Sequence, residues 1–378
     1  MRNGTFIAFI FLLNIGCPVA SAQEASTAPT SSVQKTKPAN AQKPEEASEP
    51  TPAARPENAG QVQVEPVIVK LARGGKVAVS SRLGRIVVSG WDRDVVQASA
   101  TGENGAVSVE TETTGDTARP RLLVSTSPRR YGRVIRIELK VPRYADVETL
   151  EGSRGPIEVA DIDGATLIDA GDGDVHITRV GSVKVTRRSG DVSVREVKGD
   201  LTVRSFSGEI VVESIRGLVD VAAANGDLRV HDAGGDVRAN SATGDIEIRC
   251  AKGRADASSA SGSVTLIGVG GDADASTASG DVTFRGAIRG GTYRLKSLSG
   301  EVSMTIQPDA PGFVASLTTY NGKIETDFPL KIEGPLQGPI NRRITGRYGD
   351  GQAKISLDSF NGAVKIAKGT AAELNQCK

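Results

Sequence analysis

The sequence predicts an all-β protein, a parallel β-solenoid with about 18 residues per coil in two halves of about nine. Two observations carry this. Units such as Gly190-Asp191-Val192-Ser193-Val194 and Gly244-Asp245-Ile246-Glu247-Ile248 return at Gly173, Gly190, Gly208, Gly226, Gly244, Gly262, Gly280 and Gly300, with spacings of 17, 18, 18, 18, 18, 18 and 20. A second glycine series at 181, 199, 217, 235, 253, 271 and 291 falls midway. Fixed self-similarity of this length marks a repeat architecture.

The first 22 residues read as a signal peptide. Arg2 supplies charge, Phe6 to Ile15 the apolar run, and Ala20-Ser21-Ala22 a small-residue cleavage site, with cleavage expected after Ala22. The run is short for a bilayer span, so no integral membrane span is expected in the mature chain. A competing reading acylates Cys17 as a lipoprotein; Asn14 and Pro18 argue against it. Residues 23–60, with prolines at 29, 38, 44, 50, 52 and 56 and scarcely a large apolar side chain, read as a disordered linker. The expected location is exported: periplasm, cell surface or secreted.

Residues 61–150 carry short apolar runs, Val67-Ile68-Val69 and Arg85-Ile86-Val87-Val88 among them, at irregular spacing, and read as a β-rich entry module. The solenoid repeats then occupy 151–369. Each half-coil places apolar residues two apart, as Val183 with Val185 and Leu201 with Val203, leaving Lys184 and Thr202 outward. Stacked in register, the units bring Ser189, Ser207, Asn225, Thr243, Ser261, Ser279, Ser299, Asn321 and Asn361 into one polar column before the glycines. Ser205, Ser241, Ser259, Thr277, Ser297, Thr319 and Ser359 form another, with Ala224, Ala242, Ala260 and Ala278 between them at a tight corner. Ala255, Ala257, Ala273 and Ala275 narrow the core. Gly300 to Gly322 is 22 and Gly322 to Gly362 is 40, and Pro329, Pro335 and Pro339 mark a loop excursion near 327–350. Asn361-Gly362-Ala363-Val364 then resumes as the expected last coil, before a tail at 370–378.

Three stretches carry a resemblance to a known family: Gly74-Gly75-Lys76-Val77-Ala78-Val79, Gly84-Arg85-Ile86-Val87-Val88-Ser89-Gly90-Trp91-Asp92, and the Ser-Gly-Asp-Val coils. Together they resemble the bacterial domain-of-unknown-function family labelled putative adhesin, over roughly Val64 to Ala367. The resemblance implies an exported or membrane-attached repetitive β protein with a surface role. It offers no catalytic or binding residues to carry over, and the excursion around Pro335 departs from a regular stack.

Composition narrows the function classes. Forty-six basic and 45 acidic residues give a net charge of +1, no field suited to nucleic acid; Arg129-Arg130 and Arg342-Arg343 read as solvated surface. Asp174, Asp191, Asp227, Asp245, Asp281, Glu209 and Glu301 would align as an acidic column. Calcium at the turns is one reading. The acid, however, follows glycine directly, unlike the calcium-binding nonapeptide pattern, so capping of turn N–H groups is expected, with Arg179, Arg195, Arg204 and Arg229 relieving the charge.

A polysaccharide-active β-helix enzyme would need wider coils and a cleft than these minimal units provide, and outward Asp220, Glu247, Asp256 and Asp274 are what any polar face offers. His176 and His231 stand without a nucleophile context. No catalytic, cofactor-binding or metal residue is assigned, and no cofactor. Trp91 is expected to plug the end of the core, and Tyr131, Tyr320 and Phe360 to fill corners. Cys250 is expected buried and free, although it could pair with Cys377. The resulting expectation is a non-enzymatic, adhesin-like binding or structural protein of the cell envelope. Its partner is an unknown envelope protein or glycan, or another copy through uncapped coil ends. The alternative is a periplasmic sensor or accessory protein of an envelope-stress system.

Overall fold

The computed structural model describes residues 61–63, 65–81, 84–103, 107–114, 121–128, 134–333, 342–374 and 377. The expected signal peptide and linker, Tyr131, Arg129-Arg130, Pro335 and Pro339 lie outside them. The fold is the parallel β-solenoid anticipated from the repeat.

Each coil contributes one strand to each of two parallel ladders. In one, Val192, Ile210, Leu228, Ile246, Val264, Val282 and Val302 align; in the other, Val183, Leu201, Val219, Val237, Ala255, Ala273 and Tyr293 align. The apolar residues at these places and two further on are buried and form one continuous core, because period-two alternation keeps one side of every strand inward. Where Ala255, Ala257, Ala273 and Ala275 thin this core, Phe284 and Tyr293 fill it edge to face at 5.3 Å.

The glycine corner holds adjacent coils together. Gly262 has φ +143°, and a Cβ there would meet the Gly244 carbonyl oxygen at 2.1 Å. Only glycine lets neighbouring corner backbones come so close. The aligned hydroxyls complete this corner. Ser259 Oγ donates to the Gly244 carbonyl at 3.0 Å, Thr277 Oγ1 to Gly262 at 2.8 Å, Ser297 Oγ to Gly280 at 2.8 Å and Ser359 Oγ to Gly300 at 2.9 Å. All four hydroxyl residues are buried, so each of these coils satisfies a carbonyl of the coil beside it.

Coil pairing reaches back into the 61–150 segment. Strands Lys76–Ser80 and Arg85–Trp91 pair in parallel with Asp146–Ser153 and Ile157–Asp172, and with Arg121–Pro128 and Val134–Pro142 on their other side. Antiparallel strands Val95–Glu103 and Val107–Thr114 then cover that end.

At the opposite end the chain departs from sequence order. Strands Ala353–Asn361 and Val364–Lys368 insert between the coil Gly291–Ile306 and the outer strands Phe313–Thr319 and Ile324–Thr326. The last coil in sequence is therefore internal in the stack. Part of the expected excursion is structured too: Arg342–Tyr348 pairs antiparallel with Phe313–Thr319, and Lys331–Ile332 pairs with Arg342–Tyr348. Phe313, Phe328 and Tyr348 pack there with ring centroids 5.1–5.4 Å apart. The expectation of uncapped ends is corrected for both ladders at the first end and for the Phe313–Thr319 ladder at the second, where antiparallel strands occupy edges that parallel coils would otherwise leave open.

The expectation of a free Cys250 is also overturned. Cys250 and Cys377 form a disulfide across a sequence separation of 127. The tail turns back after Gly369 through the short helix Ala371–Leu374 and crosses the corner at Gly268, where a Cβ would lie 2.3 Å from Cys377 Sγ. The sulfur therefore occupies space that a side chain at 268 would need.

Two outcomes follow for stability. Ser259→Ala, which strips the donor from the Gly244 carbonyl, is expected to cost about 1–2 kcal/mol in urea unfolding, while Ser261→Ala in the exposed column stays within about 0.5 kcal/mol. Cys377→Ser should lower the unfolding midpoint, by up to about 4 kcal/mol where loop-closure entropy dominates. An unchanged midpoint in non-reducing buffer would show that the clasp does not restrain the stack.

Candidate functional site

The acidic column is a structural feature before it is a site. Asp174 Oδ1 accepts the backbone N–H of Asp191 at 3.0 Å, Asp191 that of Glu209 at 2.9 Å, Asp227 that of Asp245 at 3.0 Å, and Asp281 that of Glu301 at 2.8 Å. Each acid satisfies the equivalent amide one coil on, as expected from its place after glycine. The same bond recurs in the second glycine series, from Leu218 to Asp200, Arg254 to Asp236 and Thr292 to Asp272, each at 2.8 Å. Of the four arginines expected to relieve this column, Arg229 reaches Asp227 and Glu209. Arg179, Arg195 and Arg204 pair instead with Asp161, Glu213 and Asp220.

The outward carboxylates are likewise engaged: Glu247 with Arg249, Asp256 with Arg254, and Asp274 with both Arg254 and Arg294. His176 is exposed and His231 half-buried. Among the described residues no group of three or more His, Cys, Asp or Glu side chains is placed to hold a metal ion. Trp91 does not plug the core. It is half-buried at a strand end, its indole N–H donates to the Val95 carbonyl at 2.7 Å, and Arg93 lies 5.0 Å from its ring centroid.

Two surfaces remain. The first is a polar groove of about 720 Å³ along one corner, lined by Asp161, Asp163, Arg179, Glu196, Lys198 and Arg216 among others. Its backbone is unusual: Asp161, Arg179, Glu196, Ser214, Asp232 and Cys250 all have φ between 54° and 63°, and Gly268 continues the line at 64°. Side chains in this left-handed region are uncommon outside functional or tightly constrained positions. Here the constraint is visible. Core residues Val192 and Val194 are two apart but Val197 follows three later, and the extra residue is absorbed by a left-handed corner at Glu196 that stays in register with Arg179 and Ser214 in the neighbouring coils. Arg179 grips Asp161 through two hydrogen bonds, at 2.7 and 3.0 Å. This bonding, with the nearby charges of Arg179 and Arg143, holds the Asp161 carboxyl below its usual 3.8.

The second surface is a trough of about 1030 Å³ over the other ladder. Its axis is the column between the two hydroxyl columns, Ala242, Ala260, Ala278, Leu298, Phe360 and Tyr320 in stack order, and the same column continues past the trough through Ala224 to Phe206. The bulky members are open to solvent, Phe206 at 61%, Leu298 at 55%, Phe360 at 46% and Tyr320 at 41%. Eight large apolar side chains are exposed among the described residues, and half of them fall on this one column. The expectation that Tyr320 and Phe360 fill corners is thus only partly met: they stack on each other, 4.8 Å apart and 3° from parallel, but face water. Asn240, Ser258, Ser276, Lys296 and Asp358 run alongside.

Comparison with known proteins places this architecture. A family model described as Toastrack DUF4097 matches residues 86–267 and 253–367. The chain belongs to this family. The match covers the coils, the inserted last coil and the trough. None of the curated proteins compared with the chain matches it. Among solved structures it is similar to one described as a putative cell adhesion protein from Clostridium sporogenes ATCC 15579, at 10% identity over 82% of this chain and 100% of that chain, with a TM-score of 0.21. It is also similar to one described as a putative adhesin from Bacteroides fragilis NCTC 9343, at 12% identity over 81% and 97%, with a TM-score of 0.25. Superposition that loose carries no inference to this Toastrack chain.

The polar groove gives a pH-dependent test. A depressed carboxyl pKa contributes stability above the ordinary value, lost as pH falls through the folded one. At neutral pH Asp161→Asn should lower the melting temperature by about 1–2 °C, since the pair is largely exposed. Below the lowered folded-state pKa of Asp161, where the carboxyl is protonated, that difference should close. A difference that persists there would assign the effect to backbone geometry at position 161 instead.

Proposed function

We propose that this Toastrack protein is an exported, non-enzymatic, adhesin-like protein of the cell envelope that uses the trough as its docking surface. The observation that carries the reading is the concentration of exposed Phe206, Leu298, Phe360 and Tyr320 on one column. Contiguous exposed apolar surface on a folded domain marks an interaction site, whereas apolar side chains scattered singly do not. A repeat stack suits such a role, because its columns present identical positions at a constant pitch of about 4.8 Å.

Export is supported by the Cys250–Cys377 disulfide, which belongs in an oxidising compartment. The non-enzymatic reading is supported by the engagement of the carboxylates: the turn acids bond to backbone amides and the outward acids to arginines. A general acid or base needs a proton-accepting group aimed at a substrate space.

Capture from envelope extract tests the reading, using the mature protein as bait with wild type and Phe360→Ser side by side. The substitution should reduce recovery of the bound material at least about tenfold, as expected for a central aromatic contact. Equal recovery by both proteins would move the docking surface away from the trough.

A further inference from the structure

The trough has a shape that points to its occupant. Along one straight column, three consecutive coils project Leu298, Phe360 and Tyr320, and the preceding coils present Ala278, Ala260 and Ala242. A ridge three side chains long therefore lies beside a notch at least as long, and both have the same coil spacing. No partner is better matched to such a ridge than a notch of equal pitch, and this chain carries one.

We propose that the occupant of the trough is a second copy of this chain, packed antiparallel about a two-fold axis that passes between Ala278 and Leu298. This rests on the reading of the trough as a docking surface. The operation brings Leu298 of each copy over Ala278 of the other, Phe360 over Ala260 and Tyr320 over Ala242. Because the contact is isologous, ridge and notch are both filled and the assembly closes at two copies.

The polar flank permits it. In the same operation Lys296 faces Ser276 and Asp358 faces Ser258, so each charge beside the ridge meets a hydroxyl rather than a like charge. On the turn side one opposition is attractive, Lys323 with Asp245, and one repulsive, Asp281 with Glu301. Charge therefore neither drives nor forbids the contact, and raising the salt should leave it in place.

Size sets the strength. Five coil steps separate Ala242 from Tyr320, the span that the operation pairs, about 24 Å at the usual strand spacing. Three columns in width give roughly 300 Å² per copy, well under half of a standard interface. The dimer should be weak and reversible, with a Kd of about 100 µM. Copies crowded on a surface would associate where dilute ones do not.

Sedimentation velocity from about 10 µM to about 1 mM tests this on wild type, Ala260→Phe, Phe360→Ala and the double variant, with melting curves confirming that each folds. Each single variant should weaken association at least about tenfold. The double variant, which exchanges ridge and notch at the facing positions, should recover most of it. Ala260→Phe decides against mere stickiness, since a non-specific apolar patch would associate more strongly with an added ring. A wild type that stays monomeric to about 1 mM, or an Ala260→Phe that associates more tightly, overturns the proposal. Envelope capture run on the same variants separates the two readings. Capture that Phe360→Ala abolishes without any wild-type self-association sinks the second-copy occupant and keeps the docking surface. Loss of neither capture nor association removes both.

Discussion

The close approach of successive glycine corners is the constraint on which the rest of the molecule depends. Two parallel ladders can share one thin core only if the chain reverses direction within a few residues, at the same height in every coil. At Gly262 the next corner lies so near that a single methyl would overlap the Gly244 oxygen. Such proximity leaves carbonyls facing a neighbouring backbone with no amide to spare, and a buried unpaired carbonyl is costly. The hydroxyl of Ser259 or Thr277, inward in the same coil, answers that need. In the coils from Ser259 onward glycine and hydroxyl thus act together, the first allowing the close approach and the second satisfying the carbonyl it exposes.

A stack built this way has no intrinsic length, so its ends require separate solutions. One end is closed by the strands at 95–103 and 107–114, the other by the strand at 342–348. The inserted coil at 353–368 adds a second device, since it cannot leave without parting strands on both sides. The disulfide then ties the tail that follows this coil to Cys250, several coils back in the stack. Propagation of further coils is blocked at three of the four ladder termini, the exception being the short strand at 324–326, which leaves the lateral faces as the main surfaces available for association.

How much of this was legible in the sequence follows from which signals are local. The core places, the hydroxyl columns and the capping acids all repeat at 18, and register alone brings them together. The left-handed corner also left a trace, the step of three between Val194 and Val197 after the step of two, which interrupts strand alternation. The out-of-order coil left none. Asn361-Gly362-Ala363-Val364 has the same pattern wherever it sits in the stack, and pairing order is a non-local property. The disulfide was undecided for a related reason: nothing near Cys377 shows that the tail turns back.

The alanine column illustrates where sequence pattern and function diverge. Between two hydroxyl columns that must be small, polar and partly inward, the intervening residue points outward and is free of the corner's demands. Ala224, Ala242, Ala260 and Ala278 are compatible with a tight turn, yet Phe206, Leu298, Phe360 and Tyr320 occupy the same structural place, so tightness does not require alanine. Small side chains over four coils beside large apolar ones over three are therefore a property of the surface rather than of the fold. A position that the fold leaves unconstrained, and that is still filled with apolar side chains facing water, is where selection for contact is most plainly written.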